Sequence, residues 1–355
     1  MNLKEKIKKL AITSTYSLLG ALQKMDKEVV KSLLVLDGNK FITLISIGDI
    51  QRAIIKNLSL EEKVVNVSRK EIKFAHIYDD ITDIKNRMMH YRMECMPVVN
   101  DEDILQDIYL WEEFFGEEQK VKQLPASIPV VVMAGGFGSR LKPLTNVIPK
   151  PLIPINDKTI LEVILDKFTA IGLKKFFFTV NYKHEMIRFY FDTLPVKYDI
   201  DYVLEAKPLG TAGSLSLIKD KIKTTFFVTN CDIIINDEYA DIYDYHKSNG
   251  NLLTIVASLK HLRIPYGTIE SGENGELLEL KEKPELTFLI NTGMYILEPE
   301  VLDYIQEDAF IHITEIIERI KNSGKKVGVY PVSEKSWTDI GEWSEYQTII
   351  DKYIK

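Results

Sequence analysis

VVVMAGGFGSRLKPLTNVIPKPLIPI (Val130–Ile155) is the stretch from which the rest of the chain is best read. The apolar run Ile128–Ala134 is short and stops at paired glycines, which suits a buried parallel strand. Gly135, Gly136 and Gly138 can take positive φ and let backbone N–H groups approach a phosphate chain or a base. Arg140 offers a planar fork for phosphate oxygens, and Lys150 a point charge. Pro149 and Pro151 fix φ on either side of Lys150 and hold it in place. No Gly-Lys-Ser/Thr follows at P-loop spacing. The dinucleotide fingerprint is excluded as well, because its third glycine is missing.

Downstream the chain alternates strand-like and helix-like segments. Thr159–Gly172 has helical spacing and a glycine stop, Lys175–Tyr182 reads as a strand, and His184–Phe191 as a helix. Asp199–Glu205 reads as a strand, Thr211–Ile222 as a helix and Thr225–Ile233 as a strand. The pattern predicts an α/β domain with a mostly parallel, Rossmann-like sheet covered by helices on both faces. Ligands of such sheets bind at the carboxyl ends of the strands, where the opening stretch lies.

Upstream the texture changes. Ser32–Ile55 gives strand, Asp-Gly turn, strand and helix, and Arg92–Phe115 is a weaker echo. An internal repeat that packs against itself is expected, an α+β domain over residues 1–120. The polar, proline-containing stretch Glu117–Pro129 marks the boundary. Residues 121–128 are read as a linker and 129–355 as the second domain.

The chain has 355 residues with 45% hydrophobic and 27% charged, ordinary globular values. A net charge of -7 argues against a nucleic-acid binder. Its two cysteines, Cys95 and Cys231, match no metal spacing and fit free thiols in a reducing compartment. MNLKEKIKKL is a charged amphipathic start without a signal-peptide core, and no apolar run reaches the ~18 residues of a membrane helix. The expectation is a cytoplasmic protein with no membrane partner. The six histidines form no ligand cluster.

The motif GGFGSRLKPLTNVIPKPLIPI resembles the signature of the sugar-1-phosphate nucleotidyltransferases, the nucleotide-sugar pyrophosphorylase family. The resemblance extends over about Ile128–Ile350, because further motifs follow in order: EAKPLGTAGSL, TNCDI, PYG, EKP, NTGMY and TDIGEW. It implies that Ala134, Gly135, Gly136, Gly138 and Ser139 hold the nucleotide, and that Arg140 and Lys150 act on its phosphates. Pro208, Gly210 and Thr211 would embrace the base, and Glu205 would read its edge. A carboxylate there can accept from guanine N1–H and N2–H₂ side by side, whereas uracil and thymine present one N–H between two carbonyls. GTP is therefore the expected donor. Asp232 and Asp339 would hold Mg²⁺. Gly267, Glu282, Lys283, Asn291 and Thr292 would take the sugar 1-phosphate.

The N-terminal repeat resembles a pair of CBS domains, which often bind adenine nucleotides. Ser46-Ile-Gly-Asp49 matches the Ser/Thr-x-x-Asp element of that module, and Tyr109–Glu112 stands at the corresponding place in the second copy but departs from the pattern. A purely structural or dimer-forming pair, and hence a homo-oligomer, is the other reading. CBS modules joined to a sugar guanylyltransferase resemble bacterial enzymes that make GDP-glucosamine for legionaminic acid. The expected acceptor is α-D-glucosamine 1-phosphate. A mannose-1-phosphate guanylyltransferase, or a glucose-1-phosphate enzyme using UTP or dTTP, is the alternative within the class. An inactive, nucleotide-sensing regulator is the alternative outside it.

Overall fold

A computed structural model describes residues 2–68, 73–91, 93–115, 122–341, 343 and 345–347. The start of the expected linker at Val121, Arg92 of the second repeat, Glu342 of TDIGEW and the end of the resembling stretch at 348–350 lie outside these residues. The chain divides into two compact units, Met1–Lys120 and Val121–Lys355.

The first unit runs α1 (Leu3–Leu10), β1 (Ala11–Thr13), α2 (Leu18–Glu28), β2 (Ser32–Asp37), β3 (Lys40–Ser46) and α3 (Ile47–Ile55). It continues with α4 (Val64–Val67), β4 (Ala75–His76), α5 (Ile81–Tyr91), β5 (Cys95–Val99), β6 (Leu105–Leu110) and α6 (Trp111–Phe115). In each half the first strand pairs parallel with the second, and the second pairs antiparallel with the third. The two hairpin turns meet: Phe41 N–H donates to the Asp103 carbonyl (2.8 Å) and Leu105 N–H to the Asn39 carbonyl (2.9 Å). Leu34, Leu36 and Phe41 from one copy share a core with Cys95, Leu105 and Ile108 from the other. The repeat does pack against itself.

Ser46 and Asp49 form a capping box at the start of α3. Ser46 N–H donates to Asp49 Oδ2 (2.9 Å), Asp49 N–H donates to Ser46 Oγ (3.3 Å), and Arg52 pairs with the buried Asp49 carboxylate. In the second copy Leu110 N–H donates to Glu113 Oε2 (3.0 Å). The counterpart of Ser46–Asp49 is therefore Leu110–Glu113, one residue later than the sequence alignment over Tyr109–Glu112. The strand ends fix this register, since β3 stops at Ser46 and β6 at Leu110.

The second unit opens with β7 (Val130–Ala134), the small hairpin β8 (Pro154–Ile155) and β9 (Lys158–Thr159), then α7 (Ile160–Ala170), β10 (Lys175–Val180), α8 (His184–Thr193) and β11 (Asp199–Leu204). Next come α9 (Gly210–Gly213), β12 (Phe226–Asn230), β13 (Ile233–Ile235), α10 (Tyr239–Ser248), β14 (Leu253–Arg263), β15 (Thr268–Ser271) and β16 (Leu277–Lys281). It closes with β17 (Glu285–Leu297), α11 (Ile313–Asn322), β18 (Val327–Val332) and β19 (Trp337–Asp339). The main sheet has seven strands in the order β11-β10-β7-β12-β17-β14-β18. Only β17 runs against the others, so the sheet is mixed but mostly parallel.

Strand alternation sorts the core into two layers. Val130, Val132, Phe176 and Phe178 face α7, α8 and α10, while Val131, Phe177 and Val228 face α9 and α11. Helix α7 begins on a capping box in which Thr159 N–H donates to Glu162 Oε2 (2.8 Å). Among the described residues, no helix is long and apolar enough to cross a membrane.

Two elements differ from the sequence expectation. The helix expected over Thr211–Ile222 is one α-turn, Gly210–Gly213, followed by a 3-10 segment, Ser214–Ile218. Ser216 Oγ donates to the Gly213 carbonyl (2.7 Å), a local bond that competes with a regular helix. The strand expected over Thr225–Ile233 breaks at Cys231–Asp232, and β13 leaves the main sheet to pair antiparallel with β19.

Candidate active site

The carboxyl ends of β7, β10, β11 and β12 share one edge of the sheet because these strands are parallel. The glycine loop leaves β7 there, Glu205 follows β11, and Asp232 sits in the break after β12. Ala134 is the buried end of β7. Gly138 has φ +64°, and a Cβ on it would lie 2.8 Å from Thr145 Cγ2 and 3.2 Å from Lys150 Cβ. Only glycine lets the loop fold this tightly onto the lysine segment. Thr145 Oγ1 donates to the Gly138 carbonyl (2.9 Å), and Lys183 Nζ donates to the carbonyls of Asn146 and Val147 (2.6 and 2.8 Å). Those anchors, neither evident in the sequence, hold the stretch between Arg140 and Lys150.

Ser139, Arg140 and Leu141 form a 3-10 turn with Arg140 exposed and Leu141 buried. A second such turn covers Leu144–Asn146, and Lys150 opens a third, Lys150–Leu152, directly after Pro149. Its ammonium is buried and pairs with Asp232. The ladder β13–β19 sets Ile233 opposite Asp339, and Ile340 N–H donates to the Asp232 carbonyl (2.8 Å). A chain segment more than a hundred residues downstream is thereby laid against Asp232.

Gly341 sits where the charged groups converge. A Cβ there would lie 2.6 Å from Asp339 Oδ1, 2.9 Å from Arg140 Nη2 and 3.1 Å from Lys150 Nζ. Its N–H also donates to Asp339 Oδ1 (2.6 Å). The sequence reading missed this residue, although a glycine two places after a candidate metal ligand was a signal for it. Gly341→Ala is expected to lower kcat about 10²-fold by displacing these side chains. Steady-state turnover beside the melting temperature checks it, and an Ala variant within threefold of wild type would remove Gly341 from the site.

Asp232 and Asp339 are the pair that could hold a Mg²⁺. Burial, and after it the charge of Asp232, raises the Asp339 carboxyl above its ordinary value. Such a pair gains from a divalent cation. Among the described residues no three His, Cys, Asp or Glu side chains form a metal cluster. The two carboxylates themselves fit Mg²⁺, which takes one or two carboxylates and completes its shell with phosphate oxygens.

Glu205 is buried and does not stand on the surface. Its Oε2 accepts from Leu209 N–H (3.2 Å), and a Cβ on Gly135 would lie 2.5 Å from its Oε1. The carboxylate thus joins the glycine loop to the Pro208–Thr211 turn. In that turn Gly210 has φ +76°, and a Cβ would lie 2.6 Å from the Ile311 carbonyl oxygen. Thr211 Oγ1 accepts from Ile313 N–H (3.0 Å). Close approach by the 309–313 segment is what demands glycine here.

Burial raises the Glu205 carboxyl above its ordinary value, while the Leu209 N–H pulls it back. The folded chain then holds this proton more tightly than the unfolded chain, so stability falls as pH rises from the ordinary carboxylate range through the folded-state pKa. Glu205→Gln is expected to raise the melting temperature near pH 7, with the gain vanishing below about pH 4. Thermal melts across that range check this. A gain at pH 7 no larger than at pH 4 contradicts it.

Of the remaining candidates, Gly267, Glu282 and Lys283 flank the hairpin β15–β16, and Asn291 and Thr292 lie on β17. A Cβ on Gly267 would lie 3.1 Å from Glu282 Oε2, and Lys283 Nζ lies 3.8 Å from Glu282 Oε1, both side chains exposed. Neither is among the groups nearest Gly341. Asn291 Nδ2 donates to Tyr295 OH (2.7 Å). Thr292 is buried, and its hydroxyl donates to the Val256 carbonyl (2.7 Å) and accepts from Met294 N–H (3.3 Å). Those bonds hold the irregular pairing of β14 with β17 between Ile255 and Ala257. A hydroxyl bonded this way supports the strand.

The family model "Nucleotidyl transferase" matches residues 129–355. The mannose-1-phosphate guanylyltransferase catalytic subunit beta of Dictyostelium discoideum is 32% identical over 232 residues, 63% of this chain and 64% of that protein. The mannose-1-phosphate guanyltransferase of Schizosaccharomyces pombe is 33% identical over 227 residues, 61% of this chain and 62% of that protein. The matches thus span less than two thirds of these relatives. Among solved structures, HddC from Yersinia pseudotuberculosis aligns with a TM-score of 0.51 at 24% identity, covering 64% of this chain and 99% of that one. UDP-glucose pyrophosphorylase from Acinetobacter baumanii aligns with a TM-score of 0.52 at 19% identity, covering 64% and 93%. These two likenesses speak to the fold alone. With the family model covering 129–355, the chain belongs to the nucleotidyl transferase family.

Proposed function

We propose that the chain transfers GMP from GTP to a hexose 1-phosphate, forming a GDP-sugar and releasing pyrophosphate. The observation that carries this is the convergence of Arg140, Lys150 and Asp339 on Gly341, with Asp232 paired to Lys150. A sugar 1-phosphate is largely anionic at neutral pH, since the second pKa of a phosphate is about 6. Attack on the α-phosphorus then needs no general base. The difficulty is bringing two polyanions together. Arg140 and Lys150 offset that repulsion and stabilise charge that develops in the in-line transition state. Mg²⁺ held by Asp232 and Asp339 would add neutralisation of phosphate charge.

Glu205, with Gly135 and Leu209 beside it, supports the choice of guanine. Relatives named for mannose 1-phosphate favour that acceptor over glucosamine 1-phosphate. The resemblance to CBS-linked guanylyltransferases favours glucosamine, so both belong in the test. With either sugar, turnover should be fastest with GTP among GTP, UTP, dTTP, CTP and ATP. Glu205→Gln should cut that preference about tenfold or more, the worth of a hydrogen bond to a charged group. A preference for dTTP or UTP would overturn the guanine assignment.

Residues 1–120 are read as a CBS pair on the strength of their two matching halves. Ser46 and Asp49 already bond each other, and Asp49 also pairs with Arg52, which favours a structural role at that position over an adenine-nucleotide site. Pyrophosphate release separates an active enzyme from a sensing regulator.

A further inference from the structure

One more assignment rests on the transfer proposed above: we infer that Asn230 is a specificity residue for the acceptor, its side-chain amide holding a hydroxyl of the sugar ring. Asn230 is the last residue of β12, two places before Asp232. Val228 packs into the layer beneath α9 and α11, so Asn230, two residues on, faces the same side of the sheet. Val203 packs into that layer too, and Glu205 stands two residues past it. The neighbour of Asn230 on β7 is Met133, and the neighbour of Met133 on β10 is Thr179. Glu205 and Asn230 thus share one face at one edge, three strands apart. Three strand spacings are roughly 14 Å. The order along this edge is Glu205 after β11, the glycine loop with Arg140 after β7, then Asn230 and β17. A base at Glu205 and phosphates at Arg140 leave the sugar of the acceptor on the Asn230 side.

Strand β17 is shaped around this amide. Its ladder with β14 pairs Ile255 with Tyr295 and Ala257 with Asn291, so Thr292, Gly293 and Met294 stand opposite Val256 alone. Bulges of this kind re-aim a strand beside a functional site. Gly293 has φ +87°, and its N–H donates to Asn291 Oδ1 (3.1 Å). A Cβ on Gly293 would lie 2.5 Å from Asn230 Nδ2 and 2.9 Å from Asn230 Cγ. The amide therefore rests against bare backbone, where any other residue would displace it. Packing holds the group, yet among the described residues no hydrogen bond satisfies it, although Asn230 is half-buried. Withdrawing an unpartnered amide from water costs stability. A sugar hydroxyl donates and accepts at once, and an amide offers both a donor and an acceptor to meet it.

The test uses the full-length chain, GTP and the better acceptor of mannose 1-phosphate and glucosamine 1-phosphate. Asn230→Ala and Asn230→Leu should each raise the KM for the sugar phosphate about tenfold, the worth of one hydrogen bond. The KM for GTP should stay within twofold of wild type. A set of deoxy sugar 1-phosphates, each lacking one hydroxyl, locates the contact. One of them should lose about tenfold in kcat/KM with wild type and nothing further with Asn230→Ala. A role in folding alone would lower the melting temperature and leave the sugar KM unmoved, which overturns the inference. So do losses from Asn230→Ala that multiply with those of every deoxy sugar. Wild type that releases no pyrophosphate with either sugar overturns the transfer reading itself, and this assignment with it.

Discussion

Arg140→Ala is expected to lower kcat by about 10²–10³-fold, the usual loss when one preorganised donor to a developing anion is removed. Folding should hardly change. Arg140 is exposed on a short turn whose buried anchor is its neighbour Leu141. Its guanidinium also lies near Asp339, so the loss should be that of an exposed ion pair, about 1 kcal/mol or less, roughly 2–4 °C in melting temperature at most for a unit of this size. Arg140→Lys should recover only part of the rate, because an ammonium cannot grip two phosphate oxygens in one plane. Melting curves beside single-turnover rates check this. Wild-type turnover in the Ala variant would remove Arg140 from the chemistry.

Asp232→Asn is expected to lower kcat by about 10³-fold, since metal-assisted charge stabilisation is worth several kcal/mol at about 1.4 kcal/mol per tenfold. The side chain keeps its size and can still accept a hydrogen bond from Lys150, but the buried ammonium loses its counter-charge. Breaking a buried pair by removing one partner costs about 3–5 kcal/mol, so a lower melting temperature should accompany the loss. The two effects separate through Mg²⁺. Loss of a ligand should raise the Mg²⁺ concentration that gives half-maximal rate, whereas a purely structural defect would leave the Mg²⁺ dependence of the remaining activity unchanged. Activity within tenfold of wild type at ordinary Mg²⁺ would contradict a metal role for Asp232.

Much of this was legible because the informative features are local. The apolar run Val130–Ala134, the helical spacing and glycine stop of Thr159–Gly172, and the glycines after Ala134 announce a strand, a helix and a tight loop. What stayed hidden depends on pairing between distant segments. Nothing near Asp232 in sequence says that β13 leaves the main sheet for β19, yet that ladder brings Asp339 and Gly341 to Lys150. Pro208–Gly213 looks like a base-binding turn, but Gly210 is also fixed by the Ile311 carbonyl a hundred residues on. The motif NTGMY gives no sign of the bonds from Thr292 to Val256 and Met294, which depend on the pairing of β14 with β17. The one-residue shift from Tyr109 to Leu110 in the second repeat has the same origin. Apolar alternation gives the face of a strand, and only the cap at Glu113 gives its end.

The most direct test is ³¹P NMR of the full chain with GTP, Mg²⁺ and either mannose 1-phosphate or glucosamine 1-phosphate. The account predicts loss of the γ- and β-phosphate signals of GTP, growth of pyrophosphate, and a new diphosphate pair from a GDP-sugar with one of the two acceptors. Asp232→Asn should leave the spectrum nearly static over the same time. An unchanged wild-type spectrum with both sugars, and with UTP and dTTP in place of GTP, would contradict transfer at this site.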